Sequence, residues 1–297
     1  MEKTLLPHVH SLEQYRALYA VDAAWLPAVC HIAARHGLAG QPVRQPLGTH
    51  VVFSFGETIV KLFCPLWPFD FQSERIALAH VQELSVPQIL AEGELEGWPY
   101  LVVSRVAGVP AIDVWPTLSG GDRSHVVQQM GALMRRLHDR PLPAGLPGEW
   151  STFVAERIAG AEAHHDAPEP WRSWIRRRLA RFVEPPRPHV LLNGDLTGDH
   201  VLLVQEDGAW QIGGIIDFGD ARIGHPFYEF IAPLAFYTFG RPALTRALVA
   251  AYGLEPSPAV RDALTSYCLL HEFGRLADFW SQHTADTPAE FEAALWG

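Results

Sequence analysis

The stretch that decides the fold reads Leu191-Leu-Asn-Gly-Asp195-Leu-Thr-Gly-Asp-His200-Val-Leu-Leu, and it is followed by Ile215-Ile-Asp217-Phe-Gly-Asp220. Between the two segments, β-type residues run on either side of a turn at residues 206–208, which is the pattern of a hairpin. A hairpin brings its two ends together. The sequence therefore predicts that the carboxylates of Asp195 and Asp217 lie at one point of the fold.

Two convergent aspartates suit the chemistry of phosphoryl transfer. One carboxylate can position the attacking hydroxyl, and the other can hold Mg²⁺ on the β- and γ-phosphates of a nucleotide. Asp195 or Asp217 taken alone can equally be read as a turn residue that caps the end of a strand. The pair at the two ends of one hairpin favours the chemical interpretation.

A lysine and a glutamate further upstream fit the same chemistry. Val60-Lys61-Leu62 places a lysine in an apolar strand, where it either reaches solvent or points into a cleft. The next predicted helix carries Glu74, and a strand lysine paired with a helix glutamate orients the α- and β-phosphates in kinases. Residues 48–56 would cover the phosphates, although they lack the GxGxxG pattern. The sequence has no Walker lysine loop, which argues against the P-loop class.

The order of elements predicts an α+β chain with a small β-rich part before a larger, mainly helical part. We expect strands at residues 50–55, 58–63, 88–90, 100–104, 201–204 and 210–216. We expect helices at residues 11–38, 71–84, 122–138, 150–164, 170–183, 227–239, 241–252 and 259–282. This divides the chain into a nucleotide-binding lobe at 1–103, a connector at 104–108, and a catalytic and substrate-binding lobe at 109–297.

In this order the motifs resemble those of the aminoglycoside phosphotransferase family of antibiotic and small-molecule kinases. The segments that carry the resemblance are Val60-Lys61-Leu62-Phe63, Ser73-Glu74, Trp98–Arg105, Leu137-His138, Asn193-Gly-Asp195 and Ile216-Asp217-Phe-Gly-Asp220. Other pieces are most similar to hygromycin B phosphotransferases, namely Lys61-Leu-Phe, Trp98–Val102, Leu270-His-Glu-Phe and Leu295-Trp-Gly. The resemblance implies a bilobal protein-kinase-like fold and a Mg²⁺-dependent enzyme that uses ATP or GTP as phosphate donor.

The resemblance also implies roles for the residues at the matching positions. Asp195 would be the catalytic base or the residue that orients the hydroxyl, and Asp217 would be the principal magnesium ligand. Lys61 would hold the nucleotide phosphates, with Glu74 as its ion-pair partner.

Three further residues receive roles from the same resemblance. Ser104 and Val106, in the connector, would offer backbone hydrogen bonds to the purine ring. Glu229 would brace the active-site loops.

The chain departs from the family pattern at two positions. The family usually has histidine where Asn193 stands, and asparagine, a magnesium ligand, where His200 stands. Imidazole is a poorer partner than oxygen for a hard ion such as Mg²⁺. Three arrangements remain open: His200 binds the metal through nitrogen, Asp199 replaces it, or Asp217 and water suffice. We favour His200 in the ligand position.

Acidic residues near the C-terminus predict a pocket for a cationic sugar. His271-Glu272 is expected on a helix whose face could reach the substrate cleft, with Asp278 further along the same helix and Asp220 after the metal-binding aspartate. Each of these residues alone is also compatible with a solvated or structural role. The formal net charge of −10 favours polycationic partners and disfavours nucleic acid and anionic membranes.

Cysteine usage and hydropathy bear on the cellular compartment. The three cysteines are far apart and form no CxxC pair, which argues against a disulfide framework or a thiolate zinc site and fits a reducing cytosol. The first residues lack a signal-peptide pattern, and no stretch approaches about 18 apolar residues. We expect a cytoplasmic monomer.

Three functional hypotheses follow from the sequence. The first is an aminoglycoside O-phosphotransferase that confers antibiotic resistance, with hygromycin B as the substrate expected first. The second is a kinase of another small alcohol, such as choline, a sugar or a macrolide. The third is an inert nucleotide-binding module, suggested by Asn193 and His200. The presence together of all four expected residues argues against it: Asp195, Asp217, Lys61 and Glu74.

Overall fold

In the computed structural model the described residues are 4–45, 48–280 and 284–297, without the side chains of Asp278 and Trp280. The strands are β1 (Val43–Gln45), β2 (Val51–Phe55), β3 (Thr58–Leu62), β4 (Ile89–Leu95), β5 (Trp98–Ser104), β6 (Val109–Pro110), β7 (Val190–Leu192), β8 (Val201–Glu206), β9 (Ala209–Ile215) and β10 (Arg222–Gly224). The helices are α1 (Leu12–Tyr19), α2 (Asp22–Arg35), α3 (Asp70–His80), α4 (Ala111–Val114), α5 (Gly120–His138), α6 (Trp150–His165), α7 (Trp171–Leu179), α8 (Ile231–Pro233), α9 (Pro242–Ala251), α10 (Pro258–Tyr267), α11 (Leu276–Trp280) and α12 (Pro288–Trp296).

The N-terminal part is built on an antiparallel sheet with the strand order β1-β2-β3-β5-β4. The β4–β5 turn is formed by Glu96 and Gly97, whose φ angles of 50° and 83° are both left-handed, as a type I′ turn requires. The register pairs Lys61 of the central strand β3 with Val52 of β2 and Leu101 of β5. Lys61 is therefore held rigidly from both sides, and the strands predicted at 50–55 and 58–63 are confirmed to within one residue.

The helix predicted over residues 11–38 is wrong as a single element, because the chain bends by 85° between α1 and α2. The bend lets Tyr15 of α1 and Trp25 of α2 enter the same core, with ring centroids 6.0 Å apart. The Trp25 indole N–H also donates to the Leu18 carbonyl at 3.1 Å across the bend. Within the described residues no single helix is long and apolar enough to cross a membrane, and the α1–α2 pair meets those criteria only as a bent pair.

The C-terminal part is mainly helical and contains two small antiparallel sheets, ordered β6-β8-β9 and β10-β7. The β8–β9 hairpin turns at Asp207 and Gly208, again with two left-handed residues of φ 51° and 80°. Pairing of Val201 with Ile215 closes its open end. The predicted hairpin is thus confirmed, and its ends lie side by side.

Residues 268–275 contradict the helix predicted over 259–282, and His271 and Glu272 lie in the irregular segment after α10. The His271 ring explains the break. Its Nδ1 accepts the backbone N–H groups of Phe273 at 3.3 Å and Gly274 at 2.8 Å. A side chain that binds nearby N–H groups in this way competes with helical hydrogen bonding.

The helix predicted over residues 227–239 is confirmed in its burial but not in its regularity. A 3₁₀ turn at Pro226–Phe230 leads into α8, and a π-helical turn follows at Leu234–Thr238. Pro233 cannot donate to a continuous ladder. The aromatic side chains of the segment are buried in several directions: Tyr228 packs against Phe153 of α6, and Phe239 packs against Phe291 of α12. The segment brings Glu229 under the loop that precedes the hairpin.

Candidate active site

Asn193 ties the loop before the hairpin to the segment after it. Its Nδ2 donates to the Asp217 carbonyl at 2.7 Å, and its Oδ1 accepts the N–H of Asp195 at 3.1 Å. Gly194 has a φ of +90°, and a Cβ there would lie 2.9 Å from the Asp220 carbonyl oxygen. This close approach requires glycine. The two aspartate-bearing segments are therefore packed directly against each other.

The buried side chains of Glu229 and His271 hold the same loop through hydrogen bonds to its backbone. The Glu229 carboxylate is buried and accepts the N–H groups of Asn193 at 2.8 Å and Gly194 at 3.1 Å. His138 Nε2 lies 3.4 Å from the same carboxylate. His271 Nε2 donates to the Gly194 carbonyl at 3.3 Å. With both backbone faces of the loop satisfied, the position of Asp195 is fixed by buried groups.

Lys61, Glu74 and Asp217 form a buried cluster. Lys61 Nζ lies 2.6 Å from Glu74 Oε2 and 3.0 Å from Asp217 Oδ1. Burial would lower the pKa of Lys61, but the charges of Asp217 and Glu74 raise it above its usual value. Burial would raise the pKa of Asp217, yet Lys61 and His200 hold it well below its usual range. The ammonium and the Asp217 carboxylate therefore stay charged at neutral pH.

Asp217 has an unusual backbone conformation. Its φ of +59° lies in the left-handed region, which non-glycine residues adopt rarely. The carboxylate Oδ1 accepts the Gly219 N–H at 3.2 Å as well as the lysine ammonium. Strained residues of this kind persist where the surroundings determine them and cluster at functional sites.

His200 lies between the two predicted catalytic aspartates. Its Nδ1 is 2.9 Å from the Asp195 carbonyl oxygen and 3.2 Å from Asp195 Oδ2. Its Nε2 is 3.7 Å from both Asp199 Oδ2 and Asp217 Oδ2. Burial would lower the pKa of His200, but its hydrogen bond to Asp195 and the charges of Asp217, Asp195 and Asp199 raise it to about 10.

These residues suit a magnesium ion that is bound together with phosphates. Mg²⁺ in nucleotide sites takes one or two carboxylates and completes its shell with phosphate oxygens and water. Asp217 and Asp199 each have a carboxylate Oδ2 within 3.7 Å of His200 Nε2, at the point where the nucleotide phosphates would lie. In the part of the chain that the structure describes, no group of three or more His, Cys, Asp or Glu side chains is arranged to hold a metal ion unaided.

Two cavities meet at this point. The smaller, of about 410 Å³, contains the predicted nucleotide residues Lys61, Glu74, Ser104 and Val106. The larger, of about 840 Å³, contains the predicted catalytic and acceptor residues Asp195, Asp220 and Glu272. The residues that line both cavities are Gly48, Asp199, His200 and Asp217. The arrangement can place a phosphate donor and an acceptor on either side of the metal-binding aspartate.

The connector lines the smaller cavity, but hydrogen bonds within the protein already occupy the Ser104 N–H that could have contacted the purine. The Ser104 N–H donates to the Gln88 carbonyl at 2.9 Å, and its hydroxyl accepts the Gln88 N–H at 2.8 Å. The prediction that Ser104 contacts a purine through its backbone therefore rests on its carbonyl. Val106 lies beside it in the same cavity.

The larger cavity is strongly acidic. The carboxylates that line it belong to Asp70, Glu149, Glu156, Asp195, Asp199, Asp217, Asp220 and Glu272. Arg222 also lines it, but its guanidinium is paired with Glu272 at 2.6 Å and lies 4.1 Å from the centre of the Phe153 ring. Burial and the neighbouring charges of Asp217 and Asp195 raise the pKa of Asp220 to about 8. The cavity is built to receive positive charge.

Several residues of this cavity were missed by reasoning from the sequence. His50 donates through Nε2 to Asp70 Oδ2 at 2.9 Å and accepts the Cys64 N–H at Nδ1. For residues 48–56, which include His50, the sequence predicts only a cover over the phosphates. Glu149, just before α6, and Glu156, on α6, belong to no sequence motif. The side chain of Asp278, predicted to bind substrate, lies outside the described residues.

Comparison with protein families and curated proteins gives a consistent picture. The model of the phosphotransferase enzyme family, APH, matches residues 50–264. An aminoglycoside 3'-phosphotransferase from Streptomyces fradiae is 30% identical over 171 residues, which is 52% of this chain and 60% of that protein. A viomycin phosphotransferase from Streptomyces vinaceus is 30% identical over 174 residues, or 54% and 59% of the two chains. The match thus spans about 60% of the length of these relatives.

Solved structures resemble the whole chain. The GDP complex of wild-type aminoglycoside 2'-phosphotransferase-IIIa superimposes with a TM-score of 0.70 at 20% identity, covering 91% of this chain and 96% of that one. A macrolide 2'-phosphotransferase type I covers 98% and 99% of the two chains, with a TM-score of 0.61 and 16% identity. These likenesses confirm the predicted α+β, kinase-like architecture with a sheet-based N-terminal lobe and a helical C-terminal part.

Proposed function

This chain belongs to the phosphotransferase enzyme family, and on that basis we propose that it transfers the γ-phosphate of a purine nucleotide to a hydroxyl of a cationic small molecule. One observation carries the proposal: the two cavities meet at Asp199, His200 and Asp217. The phosphate donor and the acceptor hydroxyl can therefore approach the same point from opposite sides.

The nucleotide would occupy the smaller cavity, with its phosphates directed towards Lys61. The Lys61 ammonium, held by Glu74, remains charged in the buried site and can neutralise phosphate oxygens. Among the similar structures, one contains GDP and another, an APH(3'')-Id from Streptomyces rimosus ATCC10970, contains ADP and streptomycin. We propose ATP or GTP as the donor.

The acceptor hydroxyl would lie beside Asp195. Asp195 lines the larger cavity, and its loop is fixed by Glu229 and His271, so the carboxylate is preorganised to orient a hydroxyl and accept its proton. A Mg²⁺ ion bound at Asp217 would neutralise charge on the β- and γ-phosphates. Transfer would be direct and in line, since nothing in the site requires a covalent intermediate.

We propose an aminoglycoside as the acceptor class, with hygromycin B as the first candidate. The eight carboxylates of the larger cavity support a polycation, because a cleft lined by one sign of charge concentrates the opposite sign. The similar proteins are named as phosphotransferases of aminoglycosides and viomycin, and one similar structure as a macrolide phosphotransferase. Modification of such an antibiotic would make the protein a resistance factor.

We further propose that the protein works as a monomer in the cytoplasm. The described cysteines, Cys30, Cys64 and Cys268, are all free thiols. Free thiols fit a reducing compartment, which is also where the nucleotide donor is found.

A substrate panel tests the proposal. Purified protein would be incubated with Mg²⁺, ATP or GTP, and single acceptors: hygromycin B, kanamycin, streptomycin, viomycin, a macrolide and choline. We expect acceptor-dependent release of ADP or GDP with at least one aminoglycoside, and hygromycin B turnover without kanamycin turnover would identify the narrower specificity.

The Asp195→Asn variant is the control for this panel. It should lose about 100-fold or more in kcat, the usual range for removing a general base. Turnover confined to choline or the macrolide would replace the aminoglycoside proposal. Nucleotide binding without turnover of any acceptor, unchanged in Asp195→Asn, would contradict the assignment as an enzyme.

A further inference from the structure

We propose that His200 binds the nucleotide-associated metal ion through Nε2, and that the site consequently favours Mn²⁺ and Co²⁺ over Mg²⁺. The inference rests on the proposed nucleotide-dependent function, which supplies the phosphates that complete the metal shell. It concerns the position at which this chain carries an imidazole instead of an oxygen ligand.

The first argument is that each carboxylate at this point has one oxygen already committed to the protein. Asp217 Oδ1 accepts from Lys61 at 3.0 Å and from the Gly219 N–H at 3.2 Å. Asp199 Oδ1 accepts the Thr197 hydroxyl at 2.6 Å. The oxygen atoms that face His200 Nε2 are the other two, Asp217 Oδ2 and Asp199 Oδ2.

The second argument is that a protein group also fixes the orientation of the His200 ring. Its Nδ1 donates to the Asp195 carbonyl at 2.9 Å, with the Thr197 hydroxyl oxygen 3.1 Å away. In the metal-free chain the neighbouring aspartates keep a proton on Nε2. A metal ion that binds there displaces this proton to solvent, and the bond from Nδ1 to the carbonyl then presents the Nε2 lone pair to the ion. The backbone bond thus fixes the ring so that Nε2 faces the metal position.

The third argument is the distance from Nε2 to these oxygens. Nε2 lies 3.7 Å from each of the two uncommitted carboxylate oxygens. Neighbouring ligands of an octahedral ion with bonds of about 2.1 Å are roughly 3 Å apart, so a small side-chain rotation would bring Nε2 and one of these oxygens onto one ion. The Thr197 and Lys61 contacts restrict the carboxylates to this direction.

Imidazole ligation changes which ion is preferred. Mg²⁺ is a hard ion that favours oxygen, whereas the affinity of nitrogen ligands rises along the first transition series from Mn²⁺ through Co²⁺. A site with one nitrogen and one or two carboxylates should therefore discriminate against Mg²⁺ more than an all-oxygen site would. The alternative is that His200 stays an imidazolium that bridges Asp199 and Asp217 without touching the ion.

Pulsed electron paramagnetic resonance separates these two arrangements. Mn²⁺ and ADP would be bound to the intact chain, and the electron spin-echo envelope would be recorded for nitrogen modulation. Protein labelled with ¹⁵N only in histidine would be compared with unlabelled protein, so that histidine nitrogen is distinguished from the nitrogens of ADP. We expect directly coordinated nitrogen whose coupling changes with the histidine label.

Variants and a competition titration complete the test. His200→Asn should abolish the nitrogen coupling and reduce the preference for Mn²⁺ over Mg²⁺ by about an order of magnitude. His50→Asn is the matched control, since His50 also lines the cavity but both its ring nitrogens are bonded to protein groups. It should keep the nitrogen coupling and the metal preference.

The outcomes have distinct meanings. Mn²⁺–ADP that binds without histidine coupling in the wild-type chain overturns the inference and leaves the proposed function standing. An unchanged metal preference in His200→Asn, with the coupling lost, overturns the selectivity part. Failure of the wild-type chain to bind Mn²⁺–ADP at all overturns both the inference and the proposed function.

Discussion

At position 61 the shape of the cationic group matters as well as its charge. Apart from Lys3, every other cationic side chain of fixed charge in the sequence is an arginine. The Lys61 ammonium lies 2.6 Å from Glu74 and 3.0 Å from Asp217. A compact ammonium on a flexible stem can contact two carboxylates and a phosphate from one point, which a planar guanidinium cannot do without displacing them.

Lys61→Arg should therefore fail although it preserves the charge. We expect kcat/KM for the nucleotide to fall by about 100-fold or more, because the ammonium no longer meets the phosphates in the buried site. Steady-state kinetics with a fixed acceptor measures the loss. Arg16→Met, on the exposed face of α1, is the control and should be indistinguishable from wild type. Activity within a few-fold of wild type in Lys61→Arg would contradict this assignment.

Asp220 gives a prediction about protons. Burial and the charges of Asp217 and Asp195 raise its pKa to about 8, so it is protonated in most free molecules at pH 7. A bound ammonium group favours the ionised carboxylate. Acceptor binding should therefore release protons at pH 7, and acceptor affinity should rise as the pH increases from 7 to 8.

Calorimetry in buffers of different ionisation enthalpy counts the released protons. Asp220→Asn should reduce the release and flatten the pH dependence of acceptor affinity. Equal proton release in the variant and the wild type would show that another group is responsible.

At the scale of elements, the loop before the β8–β9 hairpin owes its shape to distant buried groups. Glu229 lies on the 3₁₀ turn before α8 and accepts two backbone N–H groups of the loop, while His271, after α10, binds the Gly194 carbonyl. A loop held at these points keeps Asp195 in place without help from substrate.

Glu229→Ala should destabilise the whole fold, because it leaves two buried N–H groups without acceptors. Each unsatisfied group costs about 1–3 kcal/mol, so we expect the free energy of unfolding to fall by about 2–6 kcal/mol. Urea unfolding monitored by tryptophan fluorescence measures it. Glu13→Ala, on the surface of α1, should leave the unfolding curve unchanged. A Glu229→Ala chain as stable as wild type would mean that the loop finds other partners.

The sequence predicts the hairpins well and the C-terminal break poorly, for a physical reason. Turns such as Glu96-Gly97 and Asp207-Gly208 are local, since left-handed residues alone determine them. At the C-terminal break the His271 ring, which accepts the nearby N–H groups, is held between two distant partners: Tyr228 stacks on it, and the Gly194 carbonyl accepts its second ring N–H. Contacts of this kind join residues far apart in the chain, so no local pattern reports them.

At the scale of the whole molecule, the two cavities differ in how far local sequence patterns predict them. The nucleotide side could be predicted because Lys61, Glu74 and Asp217 belong to ordered motifs. The acceptor side combines carboxylates from five separate parts of the chain, the earliest Asp70 and the latest Glu272. The two hairpin segments carry four of these carboxylates, and the sequence predicts Glu272 near the cleft. Asp70, Glu149 and Glu156 stand in no motif, and only the fold reveals that they line the same cavity.

The central claim is that a nucleotide in the smaller cavity passes its γ-phosphate to a cationic acceptor in the larger one. Phosphorus NMR of a reaction containing ATP, Mg²⁺ and an aminoglycoside follows the transferred phosphate itself. We predict that the γ-phosphate signal is replaced by that of a phosphate monoester on the aminoglycoside, in equal amount to the ADP formed, and that Asp195→Asn suppresses both. Appearance of ADP with inorganic phosphate alone, or an unchanged ATP spectrum with every cationic acceptor, would contradict the claim.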